Sequence, residues 1–300
     1  MVSGDSPAVA RRRVRHAVRR LREEKGLTQG QVADSLDWSL SKVQRIESGE
    51  VTLSGTDLRA LLSLLGVVDA TTVASLAEDA KTSRRRGWWD KPPYRAHLTG
   101  ALMQLLQFES QATAIRYFSQ SMLPGVLQTR HQAEAVLRVW TELGEMSDEQ
   151  LLARLEVRMR RHEQVFDRED PPEYHLVVDE SVLHRQIGGS DVALGQLQHL
   201  LRYVAEGKVT LQVVPFAQAT LAAVLSPFTI VDLDAGEDAI LYRENQMQDE
   251  IVHLTEVVAR HRLMFEELAA RALTPEQSTL QIEARVTALR ASQSLGGYAV

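Results

Sequence analysis

The sequence predicts two domains of different class: an N-terminal all-α bundle of four to five short helices, then a larger α+β domain with a small sheet flanked by helices. Three observations lead there. Through residue 66, apolar residues recur at helical spacing between capping residues and glycines. Beyond about residue 99, amphipathic stretches give way to four strand-like runs and then to two more helices. A length of 300 residues, 44% hydrophobic and 25% charged, suits two globular domains.

Val14, Val18 and Leu21 recur at i, i+4 and i+7, giving a first helix with one apolar face that Gly26 ends. Thr28 with Gln31 forms a capping box for a second helix, whose inner face is Val32, Ala33 and Leu36. A turn at Asp37-Trp38 leads to Ser39 as the next N-cap. The third helix turns Val43 and Ile46 inward and closes at Gly49. Ser54 and Asp57 open a fourth helix with Leu58, Leu61, Leu62 and Leu65 inside, and Gly66 stops it. Val67 to Lys81 has the pattern of one further short helix, followed by the polar break Thr82 to Gly87, then Trp88-Trp89 and Pro92-Pro93.

In the second domain, helices are expected at 100–118, 130–143 and 148–166, the last capped by Ser147 with Gln150. Strands are expected at Tyr174 to Val178, Val209 to Val214, Pro227 to Leu233 and Ala239 to Tyr242, with a helix from Gln196 to Ala205 between the first two. Two helices close the chain, about 248–271 and 275–291, with Thr274, Pro275 and Gln277 marking the last start. The expected organisation is a disordered N-terminus at 1–10, the helical domain at 11–68, a linker at 69–98, the α+β domain at 99–292 and a tail at 293–300.

Net charge is −6, but it is unevenly spread. Residues 1–65 carry 11 Lys and Arg against 8 Asp and Glu, and the remainder carries 23 against 32. A basic head on an acidic body is the asymmetry expected when one end meets phosphate. The absence of cysteine removes disulfides, cysteine zinc sites and thiol nucleophiles, and fits a reducing, cytoplasmic setting. No apolar run is long enough to span a membrane. The nine histidines are scattered, and no phosphate-binding glycine loop or nucleophile elbow occurs, so neither an enzyme nor a cofactor is expected.

The second and third helices carry the functional signal. A helix entering the major groove must present short polar or cationic groups at its N-terminal end. Here the outward positions are Ser39, Leu40, Ser41, Lys42, Gln44 and Arg45. Lys42 and Arg45 can donate to guanine or to phosphate, and Ser41 to either kind of base edge. Leu40 is open to two readings, contact with a thymine methyl or cover for the turn. Thr28 and Gln29 start the second helix, where the dipole and backbone N–H groups suit a phosphate. The arginines at 11, 12, 13, 15, 19, 20 and 22 are read as adding some phosphate contact.

The run GLTQGQVADSLDWSLSKVQRIESGEVTLSGTDLRALLSLLGV resembles the Cro/repressor-like (Xre) helix-turn-helix family over about residues 11–66. The resemblance implies DNA contacts from Gln29, Ser39, Ser41, Lys42 and Arg45, and an Arg22–Glu47 pair bracing helix 1 against helix 3. Asp37 stands where the family commonly has glycine. The segments YFSQSMLPGVLQTRHQAEAVL, VVDESVLHRQIGG, VTLQVVPF, SPFTIVDL and LAARALTPEQSTLQI resemble the large C-terminal domain of actinomycete-type Xre regulators, a domain without assigned function. That resemblance implies a small acidic partner protein in an antitoxin-like arrangement.

The expectation is a homodimeric repressor or autoregulator that reads a double-stranded DNA operator, and whose C-terminal domain answers to a small partner protein or a small-molecule effector. The alternative is an antitoxin-like protein whose main task is sequestering the partner. Trp88-Trp89 is expected to anchor the linker on the second domain. Asp179, Glu180, His184 and Arg185, and the triplet Tyr242-Arg243-Glu244, are expected to be satisfied surface clusters. Leu123 to Leu127 reads as a tight turn, with an exposed interface as the second reading.

Overall fold

The computed structural model describes residues 7–48, 51–85, 87–234, 238–244 and 249–296. Contacts divide the chain into two compact units, Met1–Asp90 and Lys91–Val300.

The first unit is all helical: α1 Pro7–Glu24, α2 Gln29–Leu36, α3 Leu40–Ser48, α4 Gly55–Leu65 and α5 Ala70–Thr82. Its boundaries follow local chemistry. Gly26 and Gly66 adopt φ of +69° and +79°, which β-carbon-bearing residues avoid. Ser54 Oγ accepts from the Asp57 N–H at 3.0 Å, and Asp69 caps α5 through the Thr72 N–H at 2.7 Å. Val14, Val18, Val32, Ile46, Leu58 and Leu62 meet in one core, each buried aliphatic stabilising the unit by about 1.5–3 kcal/mol. The closing residue expected for α3, Gly49, lies outside the described residues.

Two boundaries differ from expectation. The N-terminus expected to be disordered through residue 10 is helical from Pro7, a proline at the first helical position, where its missing N–H costs nothing. The linker expected from residue 69 contains α5, which packs along α1 and α4 and places Leu76 and Ala80 in the core. This also alters the basic run of α1. Arg12 and Arg15 are 4% and 6% exposed, Arg11 donates to Ser83 O at 3.3 Å, and Arg13 pairs with Asp79. Arg11 and Arg13 are thus tied to α5 and its C-terminal end, and Arg12 and Arg15 are buried, so the run is not the uniformly solvated face that its sequence suggests. In the polar break after α5, Arg84 donates to Leu53 O at 2.6 Å; Arg86 lies outside the described residues. Trp88 and Trp89 fall in the first unit, edge to face at 5.6 Å.

The second unit holds one six-stranded mixed sheet in the order β3-β2-β1-β4-β5-β6. The strands are β1 Ala114–Ser119, β2 Glu173–Asp179, β3 Thr210–Val214, β4 Phe228–Asp234, β5 Asp238–Arg243 and β6 Glu250–Val252. β1, β2 and β3 run parallel, while β1–β4, β4–β5 and β5–β6 are antiparallel. The helices are α6 Gly100–Glu109, α7 Arg130–Glu142, α8 Asp148–Phe166, α9 Ser181–His184, α10 Ser190–Ala205, α11 Thr220–Val224, α12 Thr255–Arg271 and α13 Pro275–Gly296. α7 and α8 form the first parallel crossover and α10 most of the second, the length a parallel connection needs. α12 covers one sheet face, meeting Phe118, Phe228, Ile230 and Leu241 through Val258, Phe265 and Leu268. α13 packs on α10 and β3.

The sheet is larger than the four strands expected. Residues 100–118, read as one helix, split into α6 and β1, because Ile115 to Ser119 form a central strand buried on both faces. Ala112 and Ile115 continue the helical spacing of Leu102, Leu105 and Leu106, so the sequence alone does not mark where α6 ends. The helix expected from about 248 gives its first residues to β6, a three-residue edge strand too short to show alternation. The last helix runs to Gly296, past the expected start of the tail.

Candidate nucleic-acid interface

The α2–turn–α3 unit is built by three local devices. Thr28 and Gln31 close a full capping box, Oγ1 accepting from the Gln31 N–H at 3.2 Å and Gln31 Oε1 from the Thr28 N–H at 2.8 Å. Asp37 ends α2 at φ 54°, ψ 43°, the one non-glycine residue with positive φ among the described residues. Its side chain thus stands in a conformation where glycine is at ease and aspartate is tolerated. Ser39 Oγ then accepts from the Lys42 N–H at 3.1 Å and starts α3.

Below α3, Val43 and Ile46 are 3% and 4% exposed. Beside them the Glu47 carboxylate takes a bidentate fork from Arg22, at 2.6 and 3.0 Å, and a third hydrogen bond from Gln29 Nε2 at 2.8 Å. The Glu47 bond holds the Arg22 guanidinium above its ordinary pKa. The pair implied by the family resemblance is therefore present, and it unites α1, α2 and α3.

Above α3, Ser41, Gln44 and Arg45 are exposed, with Leu40 half exposed at their edge. Lys42 is different. Its Nζ lies 3.0 Å from Asp57 Oδ1 and 3.8 Å over the Trp38 ring, which tethers the ammonium to α4 and the turn. Burial pushes the Asp57 carboxyl up, but bonds from Lys42 and Ser54 outweigh it and hold the pKa below its ordinary value.

The structure thus sorts the seven sequence-derived candidates. Ser41, Gln44 and Arg45 share one open face. Ser39 and Thr28 spend their hydroxyls on caps, Gln29 spends its amide on Glu47, and Lys42 is shared with Asp57. Local spacing reveals the caps, but Gln29–Glu47 and Lys42–Asp57 are 18 and 15 residues apart, so sequence reasoning missed them. Arg19 and Arg20 are exposed on α1, each within reach of a carboxylate one turn on, Glu23 at 2.9 Å and Glu24 at 3.6 Å.

In the second unit, the cluster after β2 is internally satisfied. Asp179 accepts from the Ser181 N–H at 2.9 Å, Glu180 from the Phe216 N–H at 2.8 Å, and His184 stacks on Phe216. Leu123, Val126 and Leu127 are buried, so their turn is not an exposed interface. The triplet 242–244 is split rather than clustered on the surface: Tyr242 is 6% exposed and faces inward, while Arg243 pairs with Glu250 at 2.6 Å. A cavity lined in part by Leu123, Gln132, Leu183 and Leu197 holds only about 10 Å³, room for one water. Among the described residues, no group of three metal-ligating side chains is placed to hold an ion, and no helix is long and apolar enough to cross a membrane.

Comparison with known families agrees with this division. Residues 13–76 match the model described as a helix-turn-helix domain, and residues 102–284 match the Domain of unknown function DUF5753. No curated protein and no solved structure matches the chain. The second match alone covers more than half of the sequence: the chain belongs to the DUF5753 family and carries a helix-turn-helix domain ahead of that region.

Proposed function

We propose that the protein is a sequence-specific transcriptional regulator that acts as a dimeric repressor or autoregulator, not as an enzyme. One observation carries the reading. α3 exposes Ser41, Gln44 and Arg45 together while Val43, Ile46 and the Glu47–Arg22 fork fix the opposite side, so a donor-rich face is presented rigidly. Groups held in place lose little freedom on docking into a major groove, and that favours discrimination between bases. A homodimer follows from the energetics, since one such helix contacts few base pairs and two half-sites roughly add their free energies.

Footprinting on the protein's own promoter tests this reading, with Arg45→Ala as the specificity control. Protection of a two-fold symmetric site, lost in the variant, supports it. Uniform binding of unrelated duplexes by both proteins would reject sequence-specific readout.

The second reading, an antitoxin-like protein whose main task is to hold a small acidic partner, is favoured by the exposed apolar side chains Val139, Trp140 and Leu143 along α7 with Leu152 on α8. Co-expression with a candidate small acidic protein separates the two, since a complex that forms without altering the footprint favours sequestration.

A further inference from the structure

We propose that two copies of the chain pair through the second half of α7, each α7 lying antiparallel to its counterpart across a two-fold axis near Val139 and Trp140. The proposal rests on the dimeric reading above and gives that dimer its interface. α7 has two apolar sides, where a helix on the outside of a domain needs one. On the inner side, Ala133 and Leu137 are 0% and 3% exposed, packed with Met146, Leu151 and Leu155. The second side is Val136, Val139, Trp140 and Leu143, the i, i+3, i+4, i+7 spacing of a helix that anchors on a partner. α10 and the loop before it cover only the start of this side. Gln132 faces a cavity shared with Ala193 and Leu197, and a β-carbon on Gly188 would stand 2.9 Å from the Ala135 methyl. Past that point the side is bare: Val139, Trp140 and Leu143 are 50%, 43% and 65% exposed. A tryptophan set among aliphatic side chains is the composition of an interface centre.

Charge selects the occupant. α7 begins with Arg130 and His131 and has no acidic residue in its first turn. It ends with Glu142 and has no basic residue in its last turn, and Glu145, Asp148 and Glu149 follow directly. That order is the reverse of what the helix dipole favours, which is acids at the start and cations at the end. Within α7 an ion pair joins Glu134 to Arg138, one turn apart. Among the described residues Arg130, Glu142, Glu145 and Glu149 make no ion pair, and all four are exposed.

An antiparallel second copy turns this unfavourable order into a match. Its α7 runs the other way, so the acidic end of each helix lies toward the basic start of the other, and the two dipoles oppose. About an axis near Val139 and Trp140, those two side chains meet their own copies and Val136 comes opposite Leu143. This is the self-complementarity of an isologous contact. With 13 residues α7 is about 20 Å long, enough to form the apolar centre of a standard interface of about 800 Å² per partner. A small acidic protein would instead add like charge at the bare end of the helix, where a second copy brings Arg130.

The test is sedimentation of the full chain without DNA across micromolar concentrations, where the native chain is expected to be a dimer. Trp140→Glu is expected to raise the dimer Kd about a hundredfold. Leu280→Glu, at a comparably bare leucine on α13, should leave it unchanged. Arg130→Glu, and separately Glu145→Lys with Glu149→Lys, should each raise Kd about tenfold. Mixing these last two proteins should restore association, because each then offers the other the charge it lacks. Should Trp140→Glu fail to fold, the charge variants decide alone. A native chain that stays monomeric rejects the dimeric reading and this surface with it. A dimer that survives Trp140→Glu, or charge variants that mixing does not restore, leaves the dimeric reading standing and overturns the surface. If a surviving Trp140→Glu dimer also loses a candidate small acidic protein that the native chain binds, the face belongs to that partner.

Discussion

Arg22 on α1 sets two N–H groups on the Glu47 carboxylate of α3, at 2.6 and 3.0 Å, and with it fixes the recognition helix to the rest of its bundle. Both side chains are largely buried, at 12% and 5% exposure. Removing one partner strands the other charge, so Glu47→Ala is expected to destabilise the first unit by about 3 kcal/mol. Arg22→Met with Glu47→Leu should recover most of that loss. Urea denaturation of the four proteins measures it, and a double variant as unstable as the single one would refute the account.

Asp37 occupies a left-handed conformation at the end of α2. Glycine adopts it without steric cost but loses more entropy on folding. The balance favours Asp37→Gly by up to about 1 kcal/mol, seen as a higher Tm of the first unit. A lower Tm would mean that the aspartate side chain contributes more than its backbone costs.

Arg45 and Lys42 are predicted to differ. Arg45→Ala should weaken operator binding about ten- to a hundredfold while leaving unrelated duplexes less affected. Lys42→Ala loses the Asp57 and Trp38 contacts as well, so it should lower Tm and operator affinity together. Gel shifts on operator and scrambled duplexes, alongside melting curves, separate the two patterns. Identical behaviour would show that the tether to Asp57 has no effect.

His199 gives the second unit a pH dependence. Burial, then the charges of Arg202 and His162, lower its pKa to about 4 from an ordinary value of about 6.5. As pH falls below about 6.5 the unfolded chain takes up the proton first, so folding stability declines between roughly pH 6.5 and 4 and is flat in this respect above. His199→Gln should flatten that window. Urea midpoints at pH 7 and pH 5 decide, and an unchanged slope would assign the dependence to other groups.

Asp232, 3% exposed at its side chain, sits on β4 between Arg116 and Arg262, joined to Arg262 at 2.5 Å and in direct contact with Arg116. It links β1, β4 and α12. Asp232→Ala is expected to cost about 3 kcal/mol, with Asp232→Asn intermediate because it keeps acceptors for one arginine. Denaturation of the second unit checks the order, and an Asn variant less stable than Ala would contradict it.

The elements legible in the sequence were those set by neighbours in the chain. Thr28 with Gln31, Ser39, Ser54, Ser147 with Gln150, and Thr274 with Gln277 all cap the helices their spacing announced. What depends on distant partners was not legible. β1 owes its strand conformation to Glu173–Val178 on one side and Phe228–Asp232 on the other, and without them it reads as a continuation of α6. Arg12 and Arg15 look like a solvated, DNA-facing surface, yet both are buried once the bundle assembles. At the interface itself, the periodicity separated the outward Ser41, Gln44 and Arg45 from the inward Val43 and Ile46. It could not show that Asp57 tethers Lys42.

The strand order also dictates when each half of the protein can exist. Among the described residues, α1 takes partners within the first unit, such as Asp79 for Arg13, 66 residues on, and Ser83 for Arg11, 72 residues on. β1, at the middle of its sheet, stays unpaired on one side until residue 173 has emerged from the ribosome and on the other until about 228. Nascent chains therefore carry a finished reading head while the central strand of the second unit still exposes both edges, and that interval is when a chaperone has most to protect.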